Sequence, residues 1–193
     1  RFKARLVARG FEQQKGIEYN ETFSPVARHA SVRLLLSIAA SEAMNIMTFD
    51  VKTAFLYGKL DEKIYMHQPE GFDDGTGRLC ELLKSIYGLK QSSKNWNEKF
   101  TDFLKKLNFE CTDDDPCIYY NEDKSILIAL FVDDGVITGK NRKQMLDILK
   151  KLNQEFELTY DICSENRLNY LGMEIEIKDE RIIIKQSSYT QKI

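Results

Sequence analysis

The segment Ser125-Ile126-Leu127-Ile128-Ala129-Leu130-Phe131-Val132-Asp133-Asp134-Gly135-Val136-Ile137-Thr138-Gly139 constrains the fold more than any other part of the chain. Its first half is an unbroken apolar run of strand length, and the run resumes after Asp133-Asp134-Gly135. That pattern predicts a buried hairpin with two adjacent carboxylates at its tip. Two such acids repel each other, and each is satisfied by water or by a cation. A divalent metal is one reason to hold them at the edge of a core. An ordinary Asp-Gly hairpin turn is the other, and these residues alone leave both open. Asp73-Asp74-Gly75 and Asp113-Asp114-Asp115 provide an internal control. Neither lies between apolar strands, so both read as plain loops.

A carboxylate-rich metal site needs a second segment. Ile46-Met47-Thr48-Phe49-Asp50-Val51-Lys52-Thr53-Ala54-Phe55 supplies it, as a short apolar strand running into a turn. Asp is disfavoured within strands, and a buried Asp would need a cation or a donor. The competing reading is an acid that caps the following turn. Phe55 reads on these grounds as a core aromatic.

Several ordered motifs now bear a family resemblance. Phe131-Val132-Asp133-Asp134 resembles the Tyr/Phe-x-Asp-Asp motif of reverse transcriptases, and residues 50–56 resemble the first catalytic motif of the copia-type retrotransposon enzymes. Ser85-Ile86-Tyr87-Gly88-Leu89-Lys90-Gln91-Ser92 is similar to the segment that contacts nucleotide and template in that family. Residues 3–11 resemble its fingers segment, Phe23-Ser24-Pro25-Val26 a further signature, and Tyr170-Leu171-Gly172-Met173-Glu174 its primer grip. The resemblance runs in order along essentially the whole chain.

The resemblance implies an RNA-directed DNA polymerase working by two-metal phosphoryl transfer. Asp50, Asp133 and Asp134 would be the catalytic acids. With the Val51 carbonyl they would hold two Mg²⁺ ions, or Mn²⁺ in their place. Without metal, crowding should raise the pKa of at least one acid. Lys3, Arg5, Phe55, Gly88, Lys90 and Gln91 would bind the deoxynucleotide triphosphate, with Phe55 rejecting a ribose 2′ hydroxyl. Phe131, Tyr170, Leu171, Gly172 and Met173 would touch the RNA or DNA template and its primer. Read without the family, Lys3 and Arg5 are a solvated strand face, residues 88–92 are a loop before a helix, and residues 170–174 are an edge strand with a Gly bulge. Three positions depart from the family pattern. Phe131 stands in place of Tyr and Ser93 in place of Pro, and no Lys occurs between Lys151 and Lys178 to protonate pyrophosphate. Arg167 is the basic residue in that interval, and a guanidinium is a poor proton donor.

The predicted elements are a strand over 3–8, a helix from Ser31 to Met44 capped by Ser31, and a strand over 46–51. Short strands at 64–66 and 78–83 follow. Helices are predicted from Ser93 to Asn108 and from Asn141 to Glu155, the latter capped by Asn141. Strands are predicted at 117–120, 156–160, 168–177 and 181–186, with a turn at Asp179-Glu180. This order is α+β: a polymerase palm, with an antiparallel sheet and helices packed on one face, plus partial fingers. The family divides the chain into partial fingers and a connecting helix (about 1–45), palm core (about 46–165) and primer-grip hairpin (about 166–193).

Net charge is −2, which does not single out a nucleic-acid partner. Residues 1–33, however, carry seven basic side chains against three acidic ones. That end suits phosphate contact or simply a solvated charged face. Cys80, Cys111, Cys117 and Cys163 lack metal-binding spacing and fit a reducing, intracellular compartment. A cytoplasmic virus-like particle is what the family implies. No apolar run approaches the roughly 20 residues that span a bilayer. The ends, Arg1 in mid-motif and Tyr189 to Ile193, read as those of an excerpt from a longer polyprotein, inactive by itself. A catalytically silent RNA-binding module and a degenerate transposon relic are the competing functions; neither needs three placed acids.

Overall fold

A computed structural model describes residues 2, 4–163, 166–178 and 181–192. The chain divides into two compact units. One comprises Arg1–Ser24 and Thr53–Phe103, the other Pro25–Lys52 and Leu104–Ile193.

The second unit is built on a six-stranded antiparallel sheet. Its strands are β1 (Asn45–Val51), β4 (Phe109–Cys111), β5 (Ile118–Asn121), β6 (Ile126–Phe131), β7 (Asp134–Gly139) and β8 (Leu158–Asp161), in the spatial order β4-β5-β6-β7-β1-β8. The expected hairpin is β6–β7, and its register pairs Phe131 with Asp134 and Ile126 with Gly139. β7 then pairs with β1. Side chains of directly paired residues share a face, so each face can be read from the register.

One face carries Met47, Phe49 and Val51 on β1 with Gly135, Ile137 and Gly139 on β7. Helix α3 (Arg142–Glu155) packs here through buried Met145, Ile148, Leu149 and Leu152. Its N-cap is the predicted one: the Asn141 carboxamide oxygen accepts the Gln144 N–H at 3.2 Å. Gly135 is required on this face. A Cβ there would lie 2.0 Å from the buried Phe49 ring.

The opposite face carries Ile46, Thr48 and Asp50 with Thr138, Val136 and Asp134. Helix α1 (His29–Ser41) and a small sheet cover part of it, so a helix lies on each face of the large sheet, which corrects the expectation of helices on one face only. Val32, Leu35, Leu36 and Ala39 of α1 form one apolar cluster with Ile46, Ala129, Val136, Leu168, Tyr170, Met173 and Ile175. The small sheet has the order β11-β10-β9, from β9 (Arg167–Tyr170), β10 (Met173–Lys178) and β11 (Arg181–Lys185).

Three local expectations are corrected. Ser31 does not cap α1, because the helix begins two residues earlier with Arg28 as N-cap. That end is held by buried Asp115, whose carboxylate accepts the Arg28 N–H at 2.9 Å and the Cys117 N–H at 3.1 Å. The run 168–177 is two strands, because Leu171 and Gly172 have φ of 49° and 74° and turn the chain back. Residues 3–8 form no strand among the described residues. Val7 makes an isolated bridge to Tyr87, and a strand needs a longer partner. β4 had no visible signal, being three residues long. The expected turn at Asp179-Glu180 lies outside the described residues.

In the first unit, β2 (Tyr65–His67) and β3 (Leu79–Glu81) form a two-stranded sheet. Helix α2 (Ser92–Lys106) begins in this unit and buries Trp96 and Phe100. Among the described residues, no helix is long and apolar enough to cross a membrane. A last short helix, α4 (Ser187–Thr190), follows β11.

Candidate active site

Asp50 and Asp134 are direct cross-strand partners on β1 and β7. Their side chains therefore leave the sheet on the same face. Asp133 occupies the two-residue turn between β6 and β7, with Val132. The Asp133 carbonyl accepts the Val51 N–H at 2.9 Å, which ties the turn to the end of β1. Val132 has φ of 58°, a left-handed conformation that a β-branched side chain resists. The hairpin thus spends backbone strain to hold Asp133 at its tip.

Asp50 is exposed, while Asp133 and Asp134 are half-buried. Burial, then the charges of Asp133 and Asp50, push the Asp134 carboxyl up to about 6. The expected pKa rise therefore falls on the residue that both neighbours crowd. Among the described residues, no group of three or more His, Cys, Asp or Glu side chains is arranged so that it could hold a metal ion by itself. The donor set still fits Mg²⁺, which prefers oxygen ligands and keeps water and substrate phosphates among them.

The remaining candidates on this unit surround the same end of the sheet. Phe131 pairs with Asp134 in the ladder, and its ring centre lies 5.8 Å from that of His29, the first residue of α1. Tyr170 is buried, and its hydroxyl donates to the Asp134 carbonyl at 3.5 Å, the outer limit of such a bond. Burial and nearby Asp134 hold its phenol well above the usual tyrosine range. Met173 is buried in the same apolar cluster. Leu171 is half-buried and Gly172 exposed, so the turn of this hairpin reaches solvent at Gly172.

The nucleotide-binding candidates lie on the first unit. Arg5 places its guanidinium 5.3 Å from the centre of the Tyr87 ring, and the Phe55 ring lies 4.7 Å from the same ring. Tyr87 belongs to the segment 85–92, but the sequence gives it no role of its own. Its signal was its place beside Gly88, but nothing in the sequence pairs it with two residues so far away. Phe55 is half-buried, so it is no fully enclosed core aromatic. Gly88 has φ of 95°, and a Cβ there would stand 2.0 Å from the Ala8 carbonyl oxygen. Lys90 sets its ammonium 4.7 Å from the Tyr19 ring centre and bonds the Tyr19 hydroxyl at 3.1 Å. Gln91 is 3% exposed, and its amide donates to the Glu18 carbonyl at 2.8 Å. Lys3 lies outside the described residues.

Comparison with known proteins decides the family. The family model described as reverse transcriptase (RNA-dependent DNA polymerase) matches residues 1–193. This chain belongs to the reverse transcriptase family. The domain is 40% identical over 200 residues to the retrovirus-related Pol polyprotein from transposon TNT 1-94 of Nicotiana tabacum, covering 100% of this chain and 15% of that protein. It is 36% identical to the Pol polyprotein from transposon RE2 of Arabidopsis thaliana, over 98% of this chain and 13% of that protein. The Ty1-BL Gag-Pol polyprotein of Saccharomyces cerevisiae is 31% identical over 99% of this chain. The reverse transcriptase domain thus spans 15% or less of the length of these relatives. A telomerase structure from Candida albicans matches with a TM-score of 0.51 at 10% identity, covering 84% of this chain and 34% of that one. At that identity the likeness concerns the fold, which agrees with a polymerase palm.

Proposed function

We propose that this domain is the polymerase centre of a copia-type Pol polyprotein, extending a primer 3′ end with deoxynucleotides on an RNA or DNA template. The observation that carries this reading is the pairing of Asp50 with Asp134 on one sheet face, with Asp133 on the adjoining turn. In the reaction the primer 3′ hydroxyl attacks the α-phosphate of the incoming nucleotide, and pyrophosphate leaves. Asp50, Asp133, Asp134 and the Val51 carbonyl would hold two Mg²⁺ ions, with Mn²⁺ able to substitute. Bound there, the two ions stabilise the attacking and leaving oxygens of an in-line displacement.

The chain's own residues do the rest. The sheet register fixes the spacing of Asp50 and Asp134, and the strained turn keeps Asp133 from swinging away. Tyr170 and Met173 anchor the β9–β10 hairpin in the core, so its Leu171-Gly172 turn meets the primer as a firm edge. Phe131 lies on the acidic face and meets nucleic acid there. On the first unit, Arg5 and Lys90, joined by Lys3, offset triphosphate charge. Gly88 admits close backbone approach, and Gln91 fixes the backbone around it. Phe55, backed by Tyr87, excludes a 2′ hydroxyl. Arg167 is paired with Glu176 at 3.1 Å, and a guanidinium is a poor proton donor, so it does not protonate the pyrophosphate. Work inside the cell, within a virus-like particle, belongs to the same proposal.

Primer extension by a polymerase-active protein that contains this domain tests it. Asp50→Asn, Asp133→Asn and Asp134→Asn should each slow extension by roughly a thousandfold or more, since several kcal/mol of charge stabilisation leave with the carboxylate. Melting temperatures measured on the same preparations should not fall. Full extension by any of the three would remove that residue from the metal site.

A further inference from the structure

The first unit contains a buried side-chain clasp that joins two segments far apart in sequence. Gln13 is 9% exposed and uses both ends of its amide. Its oxygen accepts the Lys90 backbone N–H at 2.9 Å. Its nitrogen donates to the Gln91 side-chain oxygen at 3.1 Å. The Gln91 nitrogen in turn donates to the Glu18 carbonyl at 2.8 Å. The two amides therefore form a directional chain from residue 18 through 91 and 13 to the backbone of residue 90. Each is satisfied by the other, as buried polar groups must be.

The backbone on either side is fitted to the clasp. A one-turn 3₁₀ helix, Gly10–Glu12, ends at Gln13, whose N–H donates to the Gly10 carbonyl at 3.2 Å. Ala8 N–H donates to the Tyr87 carbonyl at 2.7 Å. The two strands of backbone meet so closely that a Cβ on Gly10 would stand 1.9 Å from the Gly88 oxygen. Gly88 itself is held at φ of 95°. Two glycines give the approach and one glutamine locks it.

We propose that Gln13 is a positioning residue for the nucleotide site: it touches no substrate, and through Lys90 and Gln91 it fixes the backbone from Gly88 to Gln91 in its binding form. This rests on the reading of Gly88 and Lys90 as nucleotide-binding. It assigns Gln91 a role as strut rather than ligand, because both ends of the Gln91 amide are already engaged. Freed of Gln13, the Lys90 N–H is left without its acceptor, the Gln91 side chain loses a donor, and the positive-φ Gly88 conformation loses its lock. The segment then samples forms that bind nucleotide less well, and the apparent affinity falls in proportion.

The test is single-nucleotide primer extension with a polymerase-active protein containing this domain, measuring KM for the deoxynucleotide, kcat, and primer–template Kd separately. Gln13→Leu should raise the nucleotide KM about tenfold with kcat reduced less and the primer–template Kd unchanged. Gln13→Glu keeps the acceptor for the Lys90 N–H and loses the donor to Gln91. It should raise KM by a smaller factor, and it decides the matter if the leucine variant does not fold. Gln91→Leu should match Gln13→Leu, and the double variant should be no worse than either single, as for two parts of one clasp. Singles whose effects multiply, or a lowered melting temperature with KM unchanged, would overturn the proposal. Lys90→Ala and Arg5→Ala separate its failure from that of the nucleotide reading. If they leave KM unaltered, the nucleotide reading falls and the role of Gln13 with it. If they raise KM while Gln13→Leu does not, the role of Gln13 alone is refuted.

Discussion

The acidic end of the large sheet and the Gly88–Gln91 segment are held by different means. Asp50 and Asp134 owe their juxtaposition to a ladder: six paired positions along β1 and β7 fix it, and no single side chain is indispensable. Residues 88–91 have no ladder. Two glycines, one bridge at Val7–Tyr87 and a pair of glutamine amides hold them. Regular structure distributes a constraint over many bonds. Irregular structure concentrates it, so single substitutions should matter more in the second region.

Glycine replacements put the contrast to its hardest test. Gly88→Ala brings a Cβ against backbone that has nowhere to go, at a φ that penalises any side chain. It should cost about 3–4 kcal/mol. Gly135→Ala meets the tip of the Phe49 ring instead, and a ring can shift. Its cost should be nearer 2 kcal/mol. Denaturant unfolding of both variants gives the comparison, and an equal or reversed order would break it.

Phe55→Val probes the side chain that Tyr87 backs. The preference for deoxynucleotide over ribonucleotide should fall by about tenfold or more in kcat/KM, because selectivity is a difference in transition-state binding. Stability should fall by less than the roughly 3–5 kcal/mol of a fully buried ring, since Phe55 is half-buried. An unchanged ratio with lower stability would return Phe55 to a purely structural role.

The acids offer a pH test. Asp134 has its folded-state pKa raised to about 6, above its unfolded value. Its contribution to metal-free stability is therefore fully present below about pH 4 and is lost as pH rises through about 6. Discounted for screening of a half-exposed group, the loss should be about 1 kcal/mol. Asp134→Asn should flatten this slope in metal-free buffer and leave the protein slightly more stable at pH 7. Stability that rises over the same interval, once other carboxylates are matched by the variant, would contradict the crowding.

The smallest effect tests the ladder region itself. Thr138 is fully buried on β7, and among the described residues its hydroxyl has no hydrogen-bond partner. Thr138→Val should stabilise by up to about 1 kcal/mol, by removing an unsatisfied polar group at nearly constant shape. A loss of stability would mean that the hydroxyl is satisfied in solution.

The same contrast explains what the sequence disclosed. The β6–β7 hairpin, β1 and the Asn141 cap were legible because their signals are local: apolar runs, alternation and a capping side chain next to its helix. The family motifs added the roles proposed above. The start of α1 is not legible in the sequence, because its partner, Asp115, lies 87 residues away. The hairpin at 168–177 resembles one strand in the sequence because leucine gives no warning of a positive φ. Tyr87 and Gln13 have no legible role in the sequence for the same reason as Asp115. Their meaning comes from residues brought near by folding, and neither composition nor spacing encodes that.

The pairing of Asp50 with Asp134 has a consequence for how this domain tolerates length changes. Alternation in a strand has a period of two, so removing or adding one residue within β1 or β7 sends every later side chain to the other face. Such a lesion does not weaken the acidic cluster by degrees; it turns one carboxylate away from the other two while the strands can still pair. The long polar loop between β2 and β3 has no such parity to keep. Insertions and deletions among related reverse transcriptase domains should therefore collect in that loop, and be rare in the few residues on either side of Asp50 and Asp134.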